Sequence, residues 1–240
     1  AKMKAKTILQ FLSRSFAGLL FTAAFFILFT SVFLSGLFGN LPVLESSLQE
    51  NLVNSDFIAQ QIASGSNISS EQVKEICRKN PAQEGCEQLN NPNLMASSLV
   101  EEITNQINPY AQLINKLKPL MILLFVLSLV FYFLGTMSIY AALFKISINT
   151  FISALSGFII FSSLPKLLPG IVDQAFNIAS ADISKELPVN FKENLIVVIN
   201  NWLKIPLAEL NTLFIYLIAA SILASIIFYF LKKKHSTKVN

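Results

Sequence analysis

Four stretches of the chain are almost wholly apolar and carry no charge: Phe16 to Phe38, Pro119 to Phe144, Ile146 to Pro165 and Leu210 to Leu231. A helix needs about 20 such residues to cross roughly 30 Å of hydrocarbon, because it rises about 1.5 Å per residue and closes its own backbone hydrogen bonds. The pattern therefore predicts spans at 16–38, 118–140, 148–166 and 210–231. Only Lys145 divides the second stretch from the third. As one helix, Pro119 to Pro165 would extend about 70 Å, more than twice the core thickness, so the chain must reverse. No Gly or Pro marks the reversal, which is placed between Tyr140 and Asn149 as a short turn over 141–147. There Lys145 can snorkel to a headgroup and Tyr140 can sit at the interface.

The segments between the spans have a different rhythm. In 39–117, Leu44, Leu48 and Leu52 recur at helical spacing, Asn54 to Asp56 interrupts them, and Phe57, Ile58 and Ile62 resume. Ser69-x-x-Gln72 offers a capping box to a short helix with Val73, Ile76 and Cys77 on its apolar side. A helix from about Asn93 aligns Leu99, Ile103 and Ile107 before Pro109, and Tyr110, Leu113, Ile114 and Leu117 lead on as a rigid extension of the second span. In 167–209 a short helix is expected after Pro169-Gly170, carrying Ile171, Ala175 and Phe176. Then Phe191, Leu195, Val198, Ile199 and Trp202 share one helical face opposite Glu193, Asn200, Asn201 and Lys204. This amphipathic helix either lies on the membrane, with the sole Trp as interfacial anchor before Ile205-Pro206, or packs on the other helices outside the membrane; periodicity alone leaves both open.

Composition agrees, with 53% hydrophobic and 13% charged residues against about 25% charged in ordinary soluble domains. The first span follows Lys2, Lys4, Lys6 and Arg14 as a secretory signal does, but its apolar run exceeds the 7–15 residues of a signal peptide and reads as a retained anchor. All 14 acids fall in Glu45 to Lys118 and Lys166 to Glu209. The arm at 1–15, Lys145, and the tail at 232–240 with Lys232, Lys233, Lys234 and Lys238 are basic without an acid. By the positive-inside rule, both termini and the turn are expected in the cytoplasm and the two large segments outside, as a helical exterior cap on an all-α four-span bundle in the cell membrane. The net charge of +4 thus reflects topology and anionic headgroups, not nucleic acid.

Cys77 and Cys86, the only cysteines, share the first exterior segment, and a local disulfide is expected. A redox or metal-binding pair would want Cys-x-x-Cys or further ligands. Asn67-Ile68-Ser69 fits a glycosylation acceptor. Catalytic material is scarce. His235, the single histidine, stands in the basic tail, and no His-Glu-x-x-His, P-loop or Gly-x-Gly-x-x-Gly sequence occurs. Ala154-Leu155-Ser156-Gly157 lacks the first glycine of the Gly-x-Ser-Gly motif and any histidine base within the spans. Ser163-Leu164-Pro165-Lys166 has Ser-x-x-Lys spacing, but Pro165 is expected to disturb the turn that would stack the pair. Glu84, Glu87, Glu101 and Glu102 show no EF-hand spacing and read as solvated surface charge. Apart from Lys118 and Lys166 at their very ends, the spans hold no Asp, Glu, Lys, Arg or His. They offer Ser128, Thr136, Asn149, Ser153, Ser156, Gly157 and Asn211, and the pairs Ala220/Ala224 and Ser221/Ser225, which suit close helix packing.

In topology and its Cys-x8-Cys pair the chain resembles claudin-like tetraspan proteins. That family's first loop is strand-rich with Gly-Leu-Trp before the cysteines, whereas this one reads as helical without Trp, so no function is carried across. The expectation is a non-catalytic scaffold or accessory subunit without cofactor or metal, its partners being the bilayer and other membrane proteins or copies of itself. The alternative is a homo-oligomeric channel or transport component lined by Ser, Thr and Asn.

Overall fold

The computed structural model describes residues 2–64, 68–83, 85–178 and 190–236, with side chains from 7 to 63 and on to 234. Every element among them is a helix: α1 (Lys2–Gly39), α2 (Leu41–Asn51), α3 (Ser55–Ser64), α4 (Ser70–Lys79), α5 (Cys86–Asn90), α6 (Pro92–Thr136), α7 (Ile139–Ile178) and α8 (Phe191–Ser236). Four of them, α1, α6, α7 and α8, are long and apolar enough to cross a membrane. This is an all-α, multi-pass membrane protein.

Two compact units divide the chain. The first gathers Ala1–Ser35, Tyr110–Ser162 and Leu207–Asn240; the second gathers Gly36–Pro109 and Ser163–Pro206. With 45, 40 and 46 residues, α6, α7 and α8 greatly exceed the roughly 20 residues of a span, and each runs from one unit into the other.

A phenylalanine spine organises the first unit. Phe21, Phe25 and Phe29 recur every fourth residue of α1 and are buried with Ala154, Leu210 and Phe214. Their rings meet at 4.7 and 5.1 Å, Phe29 meets Phe214 at 4.6 Å, and Phe125 stands edge-on to Phe21 and Phe25 at 5.5 and 5.4 Å. Such edge-to-face pairs add about 0.5–1.5 kcal/mol each beyond their buried area. Hydroxyls tie α1 to α6: Ser128 Oγ donates to Ala17 O at 2.9 Å and Ser13 Oγ to Phe131 O at 2.7 Å. At one end of the unit, Arg14 Nε donates to Gly135 O at 2.8 Å, and Lys232 Nζ lies 5.8 Å from the centre of the Phe144 ring.

The second unit has its own core. Leu44, Leu48, Leu52, Val53, Phe57, Ile58, Ala96, Val100 and Val198 form one buried cluster, with Phe191, Leu195 and Trp202 packed against it. The expected break between the first two apolar runs falls at Leu52–Asn54, where Asn54 Oδ1 accepts from Phe57 N and starts α3. The Ser69 capping box is formed in both directions. Cys77 and Cys86 are disulfide-bonded, and both are buried beside Ala59 and Val73.

Three boundaries differ from those expected. The reversal before the third span is at Met137-Ser138, not within 140–149, and 141–147 is helical. Met137 takes the left-handed φ of 54° usually left to glycine, and the turn closes through Met137 N to Phe133 O and Ala142 N to Ser138 O. Tyr140 and Lys145 thus lie on α7 because its first turns are used in packing, with Ala142 and Ser147 buried. Past Pro169-Gly170 no new helix begins; α7 continues through Pro165 and Pro169 to Ile178. Likewise the amphipathic segment is no separate surface helix, since α8 runs through Pro206 into the fourth apolar stretch. Each internal proline forfeits one backbone bond. Burial on the flanks, at Leu168 and Val172 and at Leu203, Pro206 and Leu207, holds these helices together.

Candidate functional site

The catalytic candidates do not converge. Ser156 is exposed on α7. Ser163 and Lys166 share a turn of uninterrupted helix, correcting the expectation for Pro165, and Lys166 is exposed. No described cysteine is free, and the described residues contain no group of three or more His, Cys, Asp or Glu able to hold a metal ion. Glu87, Glu101 and Glu102 are exposed, whereas Asn67, Glu84 and the His235 side chain lie outside the described residues.

Of the expected packing residues, Gly157 has the closest role. A methyl group there would stand 2.5 and 2.6 Å from Cε1 and Cζ of the fully buried Phe214, so α7 and α8 meet at a contact only glycine permits. Ser221 is buried, but its hydroxyl donates to Ile218 O of its own helix. Ser153, Ala224 and Ser225 are half-buried, and Ala220, like Ser156, is exposed. Sequence reasoning missed a second close approach: a Cβ on Gly135 would stand 2.7 Å from Arg14 Cγ and 3.2 Å from Gln10 O. Tyr132 is buried at the α1–α6–α7 junction with Ala17 and Ala142, hydrogen-bonded to the Asn149 amide. Its signal was available in the small residues Gly18 and Gly135 spaced against an intramembrane Tyr and Asn. In α8, Asn211 Oδ1 is buried without a hydrogen-bond partner.

Trp202, expected as an interfacial anchor, is tied into the second unit. Its ring packs on the second unit's core, and Nε1 donates to Leu37 O at 3.1 Å near the end of α1. Next to it Asn201 Nδ2 donates to Ser47 Oγ at 2.8 Å, and Phe191 stacks on Phe57 at 5.4 Å. The amphipathic face of α8 therefore packs on helices of the second unit, deciding between the two readings its periodicity allowed.

Among its described residues, this unit exposes an apolar stripe on α7. Leu167, Ile171 and Ile178 are 58%, 50% and 83% exposed, and the exposed Ala175 completes a helical face. The fold thus defines a multi-pass helical membrane protein with a packed helical unit attached. No protein-family model, curated protein or solved structure matches the chain.

Proposed function

We propose that this chain is a non-catalytic membrane scaffold or accessory subunit whose helical second unit docks another membrane protein. The observation that carries the reading is the α7 stripe of Leu167, Ile171, Ala175 and Ile178, exposed on a unit whose other apolar side chains largely bury one another. Residues 146–165 of α7 already supply the roughly 20 a span requires, and Ile178 stands 13 residues, about 20 Å, further along the helix. Lipid is a poor cover that far out, with Lys166 and Asp173 in between. In this reading the arm, the α6–α7 turn and the tail are cytoplasmic and the second unit is exterior. The basic segments' shared end of the first unit, through Arg14 on Gly135 and Lys232 on Phe144, supports that placement.

The test is the mass and composition of the particle extracted from its native membrane in mild detergent, for the unaltered chain and for Ile171→Lys. A different chain in fixed ratio, lost on substitution while this protein's melting temperature holds, is the expected result. A particle of this chain alone, unchanged by Ile171→Lys, would refute the reading. A homo-oligomeric channel is the alternative, and a closed ring of identical chains with ion flux in liposomes would favour it.

A further inference from the structure

Of the 14 acids only Glu209 falls in the first unit, near the start of its α8 portion. Arg14 belongs to the opposite end of that unit, where the α6–α7 turn and Lys232 are found. From Glu209 to Lys232 is 23 residues of one helix, about 35 Å. Among the described residues of its own unit, Arg14 therefore has no carboxylate side chain within reach. Its side chain is exposed, and the bond to Gly135 uses one of the five N–H donors of a planar guanidinium that suits phosphate.

On the same α1–α6 seam lies a cleft of about 500 Å³. Leu9, Leu12, Phe16 and Leu134 are among its apolar walls. Ser13 also lines it, but that hydroxyl is already bonded to Phe131 O, so Gln10 brings the remaining amide. Ser13 immediately precedes Arg14, and Leu134 immediately precedes Gly135, which sets the cleft and the cation at the same height along both helices. The arrangement is amphiphilic: Arg14, a cation with no ion pair among the described residues, stands two residues before the first charge-free stretch and next to an apolar trough of ligand-pocket size.

We propose that this seam binds one anionic glycerophospholipid, its phosphate on the terminal nitrogens of Arg14 and an acyl chain in the cleft. The cation selects the headgroup; the cleft holds the tail and fixes the stoichiometry at one. Native mass spectrometry of the intact purified chain, titrated with phosphatidylglycerol or with phosphatidylcholine of the same acyl chains, tests both parts. A first phosphatidylglycerol should bind about fivefold more tightly than phosphatidylcholine, the worth of one cation near an anionic headgroup. Arg14→Gln should erase that preference, and Leu134→Trp, filling the cleft from an exposed position, should weaken the first event for both lipids. Replacing Lys232, Lys233 and Lys234 together by Gln should leave the preference intact. Equal affinity for the two lipids, a preference that survives Arg14→Gln, or one that disappears with the tail lysines would overturn the site. If Arg14→Gln does not fold, Leu134→Trp and the tail variant still decide: unchanged first binding in the former, or lost preference in the latter, refutes it.

Discussion

Gly157 and Gly170 lie on the same helix, and the structure predicts opposite outcomes for the same substitution. Gly170 has open space around the position of a Cβ, whereas at Gly157 the added atom would stand 2.5 Å from the Phe214 ring. Removing a helical glycine gains about 0.5–1 kcal/mol in either place, so that term cancels between the variants. The Phe214 ring cannot swing aside, being fully buried between Phe29 at 4.6 Å and Phe161 at 5.9 Å. Forcing one methyl into such a core costs about 1–3 kcal/mol. For a chain of this size each kcal/mol moves the melting temperature by about 2–4 °C. Thermal unfolding of both variants in one detergent, followed by circular dichroism, should therefore place Gly170→Ala above the unaltered protein and Gly157→Ala at least about 2 °C below Gly170→Ala. Adding Phe214→Leu should cost less in the Gly157→Ala background than alone, by at least about 0.5 kcal/mol, as for two residues in contact. Equal upward shifts for the two glycine variants, or strict additivity with Phe214→Leu, would refute the contact.

The remaining predictions probe the second unit and the buried amide. Replacing Cys77 and Cys86 together by Ser opens a 10-residue loop, for which chain entropy gives a loss of about 2.7 kcal/mol. Emission from Trp202, the sole tryptophan, should report it, since Ile62 and Leu89 belong to both the disulfide cluster and the Trp202 cluster; an unmoved transition in the double variant would contradict this. Trp202→Phe should cost about 1 kcal/mol through loss of the bond to Leu37 O, measured by the same melts using circular dichroism; no loss would mean the bond contributes nothing. Asn211→Leu should raise stability by about 1 kcal/mol or more, because the buried Oδ1 has no partner; a fall in melting temperature would show that the amide is satisfied in the native protein.

The spans, the capping box at Ser69, the disulfide and the amphipathic face of α8 were legible because each is a local pattern: an apolar run, a spacing, a shared compartment. The misplaced boundaries share a cause. Pro165, Pro169 and Pro206 read as helix ends because a proline forfeits a bond locally, but the helices continue with Leu168, Val172 and Leu203 buried beside them. The reversal at Met137 was hidden for the opposite reason, since a methionine took a backbone conformation that residue preference assigns to glycine. The phenylalanine spine was visible as Phe21, Phe25 and Phe29 at intervals of four, but a lipid-facing stripe would show the same spacing, and only the packed structure separates them.

The polar residues of the spans bear on function in the same way. Read as a sequence, their hydroxyls could have lined a pathway. In the fold, Thr22, Ser147, Thr150, Thr212 and Ser221 donate to carbonyls of their own helices, three or four residues back. Ser13 and Ser128 instead bond across to α6 and α1 and fasten the seam. A hydroxyl whose proton is held by a backbone carbonyl is a weaker donor to a passing anion or water, although its oxygen can still accept. A pore through several copies would therefore rest on acceptor oxygens, such as those of exposed Thr22 and Thr212, and on little else from these residues. Helix packing and own-helix hydrogen bonds thus account for these intramembrane hydroxyls.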